Sequence, residues 1–139
     1  MAHTIYNIFK EKVMTGAINF ATDSFKVMLV SSLYTPDKDS HHSYVNISNE
    51  VTGLGYSAGG QLLTGVTVMI DLVNNEARLW SNEATWINST ITASGAVIYK
   101  VSSDPTQAWL VNYFDFNAQK SSYVSDFIFQ AASEILTLS

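Results

Sequence analysis

Short apolar or alternating segments recur along the chain, and turn residues interrupt them about every ten positions. That rhythm belongs to short antiparallel strands. Phe25-Lys-Val-Met-Leu-Val30 is a compact apolar run that reads as a buried strand, and the segment after it stops at Pro36, which cannot donate to a ladder. From Val66 the faces separate: Val66, Val68 and Ile70 on one side, Thr67, Met69 and Asp71 on the other. Val73-Asn74-Asn75 turns the chain and residues 76–81 return as the second arm of a hairpin. Further strands are expected at 91–101, 109–116, around Tyr123, Phe127 and Phe129, and at 135–138, with a polar loop at 117–122.

One stretch has a helical period. Ile5, Ile8, Phe9 and Val13 share a face, Thr4 is placed to cap, and Gly16 suits the stop, which predicts a helix over about 4–15. Seven or eight strands with one terminal helix predict a mainly β protein, an antiparallel β-sandwich or jelly-roll-like domain with a short N-terminal helix. At 139 residues, with no repeat or linker, residues 1–139 are expected to form a single domain.

Between the strands at 25–30 and 66–70 lies Asn49 to Asp71, in which Gly53, Gly55, Gly59 and Gly60 crowd into eight positions. This is expected to be a sharply turning arm that delivers the chain into a strand. It imitates two catalytic signatures. Gly55-Tyr-Ser-Ala-Gly59 matches a nucleophile elbow, but an elbow needs a following helix and a later histidine, and His3, His41 and His42 all precede Ser57. Gly53-x-Gly55-x-x-Ala58 loosely matches a dinucleotide fingerprint, yet no helix pattern follows to hold a pyrophosphate.

Composition narrows the functional classes. Only 14% of residues are charged against 47% hydrophobic, with seven Tyr, seven Phe and three Trp. Such a surface is expected to be partly covered by other copies or partners. Seven basic residues against twelve acidic ones, a net charge of −5, argue against nucleic acid. There is no cysteine, hence no disulfide frame or thiolate metal site. Asp37, Asp39, His41 and His42 have neither a calcium loop's spacing nor a zinc motif's, and read as a solvated loop. No signal-peptide core and no run of 18 apolar residues is seen, so neither secretion by that route nor a membrane span is expected. Asp115 and Asp126 should turn outward beside inward-facing aromatics. Trp80 and Trp86 are expected as core anchors, with a sugar-stacking platform as the alternative. No catalytic residue, cofactor or metal is expected, and the chain does not read as an enzyme.

Nearly end to end, the chain resembles a family of small virion structural proteins of tailed bacteriophages. The resemblance is carried by Tyr6-x-x-Phe9-Lys-Glu-Lys12, Lys26-Val-Met-Leu29, Tyr34-Thr-Pro36, Asn49-Glu-Val51 and Gly53-x-Gly55-Tyr56-x-Ala58-Gly59-Gly60. Thr85-Trp86, Ser89 to Ala93, Ala96 to Lys100 and Ile135-Leu-Thr-Leu138 extend it. It implies a virion component made in the host bacterial cytoplasm, most simply a capsid decoration (cement) protein on the head exterior. The implied partners are the major capsid protein and further copies of the chain, as a homotrimer, with no nucleic acid, membrane or small-molecule substrate. The alternative is a tail, fibre or baseplate module that binds a host glycan or another virion protein. The contacting parts expected on this basis are the N-terminal helix, with Tyr6 and Phe9, then Tyr34, and the arm formed by Gly53, Gly55, Tyr56, Gly59 and Gly60.

Overall fold

A five-stranded antiparallel sheet organises the molecule, in a computed structural model that describes residues 2–130 and 135–138. Its strands are β1 (Ala2–Ile5), β2 (Phe25–Val30), β3 (Gln61–Leu62), β7 (Thr92–Lys100) and β8 (Leu110–Ser121), in the order β1-β8-β7-β2-β3. Two smaller antiparallel sheets complete the described structure. One is β10-β5-β4, built from β4 (Thr67–Asp71), β5 (Glu76–Trp80) and β10 (Leu136–Leu138). The other pairs β6 (Ala84–Ser89) with β9 (Ser125–Phe129). The protein is therefore mainly β, with antiparallel sheets and one short helix, α1 (Asn7–Met14), near its N-terminus.

The central sheet is covered on both faces, which is why Phe25–Val30 is an apolar run rather than an alternation. On one face Phe25, Val27, Leu29, Ala96, Ile98 and Phe114 form the main core with Leu79, Trp86, Phe127, Phe129 and Leu136 of the smaller sheets. On the other, Met28, Val30, Val97, Leu110 and Tyr113 pack against Tyr6 and Tyr34. Lys26 is the half-buried exception at the strand's start.

The helix starts later than its pattern predicts. Residues 2–5 add to the open edge of β8, with Thr4 opposite Tyr113, so Thr4 is a ladder residue and not a cap. Tyr6 occupies the N-cap position without a side-chain cap bond. Ile8 and Phe9 are buried, one on each side of the sheet, and Gly16 follows the helix end with φ +80° as the stop signal suggested.

The expected loop at 117–122 is also corrected: β8 continues to Ser121, with Ala93 opposite Lys120 and Thr92 opposite Ser121. The strand skips residues between Asp115 and Lys120, and Asn117 sits there at φ +62° while its amide donates to Asp115 Oδ1. Polar side chains do not prevent pairing where the backbone ladder alone is needed. A second irregularity, between Ile98 and Tyr99, leaves Val111 as the extra residue; the buried Asn112, opposite Ile98, faces the main core, where its Nδ2 donates to Ile135 O at 2.9 Å and ties the segment before β10 to the sheet.

Candidate functional site

The glycine-rich arm turns out to be a cover for the edge of β2. Beyond β7, β2 would offer a free row of amides and carbonyls, and the chain from Asn49 to Leu63 satisfies them in turn. Ser31 N donates to Asn49 O, Val51 N to Leu29 O, and Leu63 N to Phe25 O, with β3 supplying regular pairing at Lys26 and Val27. Where the arm bows away from the strand, a side chain takes over: the Tyr56 hydroxyl accepts from Leu29 N at 3.0 Å.

Glu50 holds this arrangement. Its Oε1 accepts from the Tyr44 hydroxyl at 2.8 Å, and its Oε2 accepts from the Tyr56 hydroxyl at 2.6 Å and from Gly59 N at 2.7 Å. Tyr99 completes the clasp by donating to Gly59 O at 2.6 Å. One carboxylate thus ties together three points of a segment that has almost no regular structure. Charge-assisted bonds of this kind are about twice as strong as neutral ones. Burial, reinforced by Glu50, raises the pKa of Tyr56, so it stays a donor to the carboxylate. Glu50→Gln keeps the shape but puts an amide NH2 where an acceptor is needed. It is expected to cost about 2 kcal/mol in chemical denaturation and to speed exchange of the Leu29 amide.

A second hydroxyl chain lies on the opposite face of the sheet from the main core. The Tyr6 and Tyr34 hydroxyls are 2.7 Å apart, and Tyr34 Oη is 2.9 Å from His41 Nδ1. Asp37, whose carboxylate is engaged by the Ser40 hydroxyl and the Asp39 and Ser40 amides, is held below its ordinary pKa by those bonds. The acidic and histidine residues of this loop are thereby used in shaping the loop.

These tyrosines set an alkaline limit. Burial pushes Tyr34 up to about 12, and burial followed by the bond to Glu50 pushes Tyr44 up to about 12. An unfolded chain releases those protons near pH 10. Between pH 10 and 12 the unfolded state therefore binds fewer protons than the folded one, and stability falls as pH rises through that window. Below pH 10 the contribution is fully present. In a Tyr123→Phe background, which removes the exposed tyrosine, circular dichroism and tyrosinate absorbance followed together are expected to change in one cooperative step above pH 10; tyrosinate appearing well before loss of structure would contradict this.

The residues expected to make contacts are placed as follows. Tyr6, Phe9 and Tyr34 are buried within the chain's own cores. Tyr56 is half-buried, stacked against Trp86 at 5.9 Å between ring centroids. Gly59 is buried and Gly60 half-buried against β2, while Gly53 and Gly55 are exposed at the outer turn. The surface of the first three is spent on folding, and the arm's inner half on covering β2. Ser57, the elbow serine, is exposed in this arm and is followed by a two-residue strand.

Exposed apolar surface gathers somewhere else. In the hairpin formed by β4 and β5, Val68 and Met69 are each 53% exposed, Ile70 77%, Leu72 82% and Val73 89%. Val68 pairs with the buried Leu79, but Ile70 pairs with Ala77 farther along, where no core covers it. The hairpin therefore overhangs the body. Asp71 receives the Val73 and Asn74 amides and the Asn74 side chain, and Arg78 lies 3.2 Å from Asp71 and 2.5 Å from Glu76, so the tip is shaped despite its exposure. The sequence pattern located this hairpin and its turn but not its exposure, because an apolar strand face looks the same whether its cover comes from the same chain or another. The signal available was Leu72-Val73: apolar residues in a turn that polar ones usually fill.

Among the described residues there is also a hollow of about 480 Å³ beside β1 and β8, lined by His3, Tyr34, Ser94, Tyr113, Asp115 and Gln119 among others. The Ser94 hydroxyl there is buried without a hydrogen-bond partner. These geometries define a mainly β protein whose polar networks brace its own fold and whose overhanging hairpin holds a run of apolar side chains outward. No protein-family model, curated protein or solved structure matches the chain.

Proposed function

We propose that the chain is a non-catalytic structural protein of a tailed-bacteriophage virion, a decoration (cement) protein that bridges major capsid proteins on the head exterior. The observation that carries this reading is the overhanging hairpin, an ordered arm with five large apolar side chains in seven residues given to solvent. A monomer gains nothing from such an arm, whereas a protein that works by contact needs one. The near end-to-end resemblance to phage virion proteins supplies the setting. A shell under pressure from packaged DNA is stabilised by anything that binds its assembled form and not its parts. In this reading the chain is made in the host cytoplasm and adds to the head through apolar and backbone contacts. The main chemical networks, around Glu50 and Tyr34, are internal braces.

Cryo-EM of whole particles, with copy number from mass spectrometry, tests the reading. Many copies spread over the head are the expected result; a few at the tail tip, or none, overturns it. A second reading, a tail or fibre module that binds a glycan, rests on the hollow beside β1, where Asp115, His3 and the unpartnered Ser94 hydroxyl suit a ligand rich in hydroxyls. Binding of the isolated chain on a glycan array, lost in Asp115→Asn, would favour it.

A further inference from the structure

Every sheet edge must be covered, blunted or paired, and the edges of this protein are treated unequally. The edge of β2 is covered by the glycine-rich arm. Among the described residues β4 is the outer strand of its sheet, with β5 on one side and no strand on the other. It lacks the devices that keep such an edge solitary. Thr67-Val-Met-Ile-Asp71 contains no lysine and no proline, and its pairing with β5 runs through five consecutive residues without a bulge.

We propose that β4 pairs with β4 of a second copy of this chain, antiparallel about a two-fold axis through Met69. In that register Met69 faces its own equivalent, Val68 faces the second copy's Ile70, and Thr67 faces the second copy's Asp71. All three apolar pairs, Met69 with its equivalent and Val68 with Ile70 in both directions, are matched. No charge meets a like charge, because the single carboxylate of β4 stands opposite threonine and is already neutralised by Arg78 at 3.2 Å. A self-complementary strip is what an isologous interface requires. The two hairpins together would form a continuous four-stranded ribbon, which also brings the exposed Leu72 and Val73 of each copy alongside the other's sheet. The exposed apolar strip amounts to several hundred Å² per copy, about the upper range for a lone monomer's largest patch, which fits a reversible dimer. A partner strand from another protein would be chosen by its own sequence, whereas the fit just described needs only this one. The pairing gives two-fold dimers, where the family resemblance implies trimers, and it holds whether or not the phage head is the place of assembly.

The absence of cysteine makes a clean test available. Opposed residues of an antiparallel pair have Cα atoms about 4.5–5.5 Å apart, within disulfide reach. Met69→Cys is therefore expected to form a covalent dimer under mild oxidation. Leu72→Cys is more exposed, but the two copies of position 72 would lie six residues apart along the ribbon, about 20 Å, and cannot be bridged. The expected outcome is at least about a ten-fold faster crosslink for Met69→Cys than for Leu72→Cys. Sedimentation of the unmodified full chain is expected to show a monomer–dimer equilibrium, and Ile70→Lys to weaken it by about ten-fold or more. Leu33→Lys, which removes an exposed leucine elsewhere, should leave it unchanged. A chain that stays monomeric at about 0.1 mM, one that forms trimers, or equal crosslinking of the two cysteine variants would each overturn the proposal.

Discussion

Gly60→Ala is expected to abolish the native fold or reduce its stability by more than about 4 kcal/mol, the range reserved for substitutions that force backbone apart. A Cβ on Gly60 would sit 1.9 Å from Val27 O, 2.7 Å from Val27 C and 2.8 Å from Met28 Cα. All three are backbone atoms of β2, the strand that carries both cores, so nothing flexible is present to yield. The residue also holds φ +80°, a conformation that costs an L side chain about 1 kcal/mol or more. The arm can lie this close to β2 only because position 60 has no side chain. Gly16 provides the comparison: it has the same φ of +80° but open space around it, so Gly16→Ala should lose only about 1 kcal/mol. Urea unfolding of both variants separates the two contributions, and similar losses would contradict the account of the arm.

Trp86→Ala is expected to cost about 4 kcal/mol, or about 14 °C in melting temperature, by the usual scale for removing a large buried aromatic. Trp86 is buried on β6, stacked on Tyr56 and edge-on to Phe127 at 6.0 Å between centroids. It therefore joins three parts of the molecule that are far apart in the chain: the glycine-rich arm, β6 and β9. Its indole Nε1 is buried with no partner among the described residues, so the ring acts by packing and not by hydrogen bonding. Trp86→Phe should consequently lose less than half as much, since it leaves most of the aromatic contact and removes an unpaired N–H. Calorimetry of the two variants checks the ordering.

These effects bear on how much of the molecule was legible in its residues. The strand at 25–30 was readable because burial on both faces leaves an uninterrupted apolar run, and the hairpin turn at 73–75 because Asn75 tolerates its φ of +55°. The first strand was not, because Ala2–Ile5 can serve equally as the lead-in of a helix, and only the open edge of β8 decides for pairing. The continuation of β8 through Asn-Ala-Gln-Lys-Ser was hidden for a related reason: a ladder between backbones leaves no hydrophobic trace.

Legibility of the site was poorer. Glycine crowding correctly marked Gly53 to Gly60 as a sharp turn. Which surface that turn approaches depends on Glu50 meeting Tyr44, Tyr56 and Gly59, and residues six and nine apart carry no periodic sign of sharing one carboxylate. Tyr6, Phe9 and Tyr34 were expected as contacts because they lie in the segments that carry the family resemblance, whereas the second face of the central sheet consumes Tyr6 and Tyr34 and the main core consumes Phe9. The surface that composition did anticipate is present, but on the hairpin at 67–73.

The claim that this hairpin is where the chain meets other molecules, and that the glycine-rich segment is internal bracing, is tested most directly by amide hydrogen exchange. The chain would be measured dilute and free, then assembled on purified phage heads. Slowed exchange at residues 67–73, with the amides of 53–60 unchanged, is the predicted result. Slowed exchange at 53–60, with residues 67–73 as open as in the free chain, would contradict it.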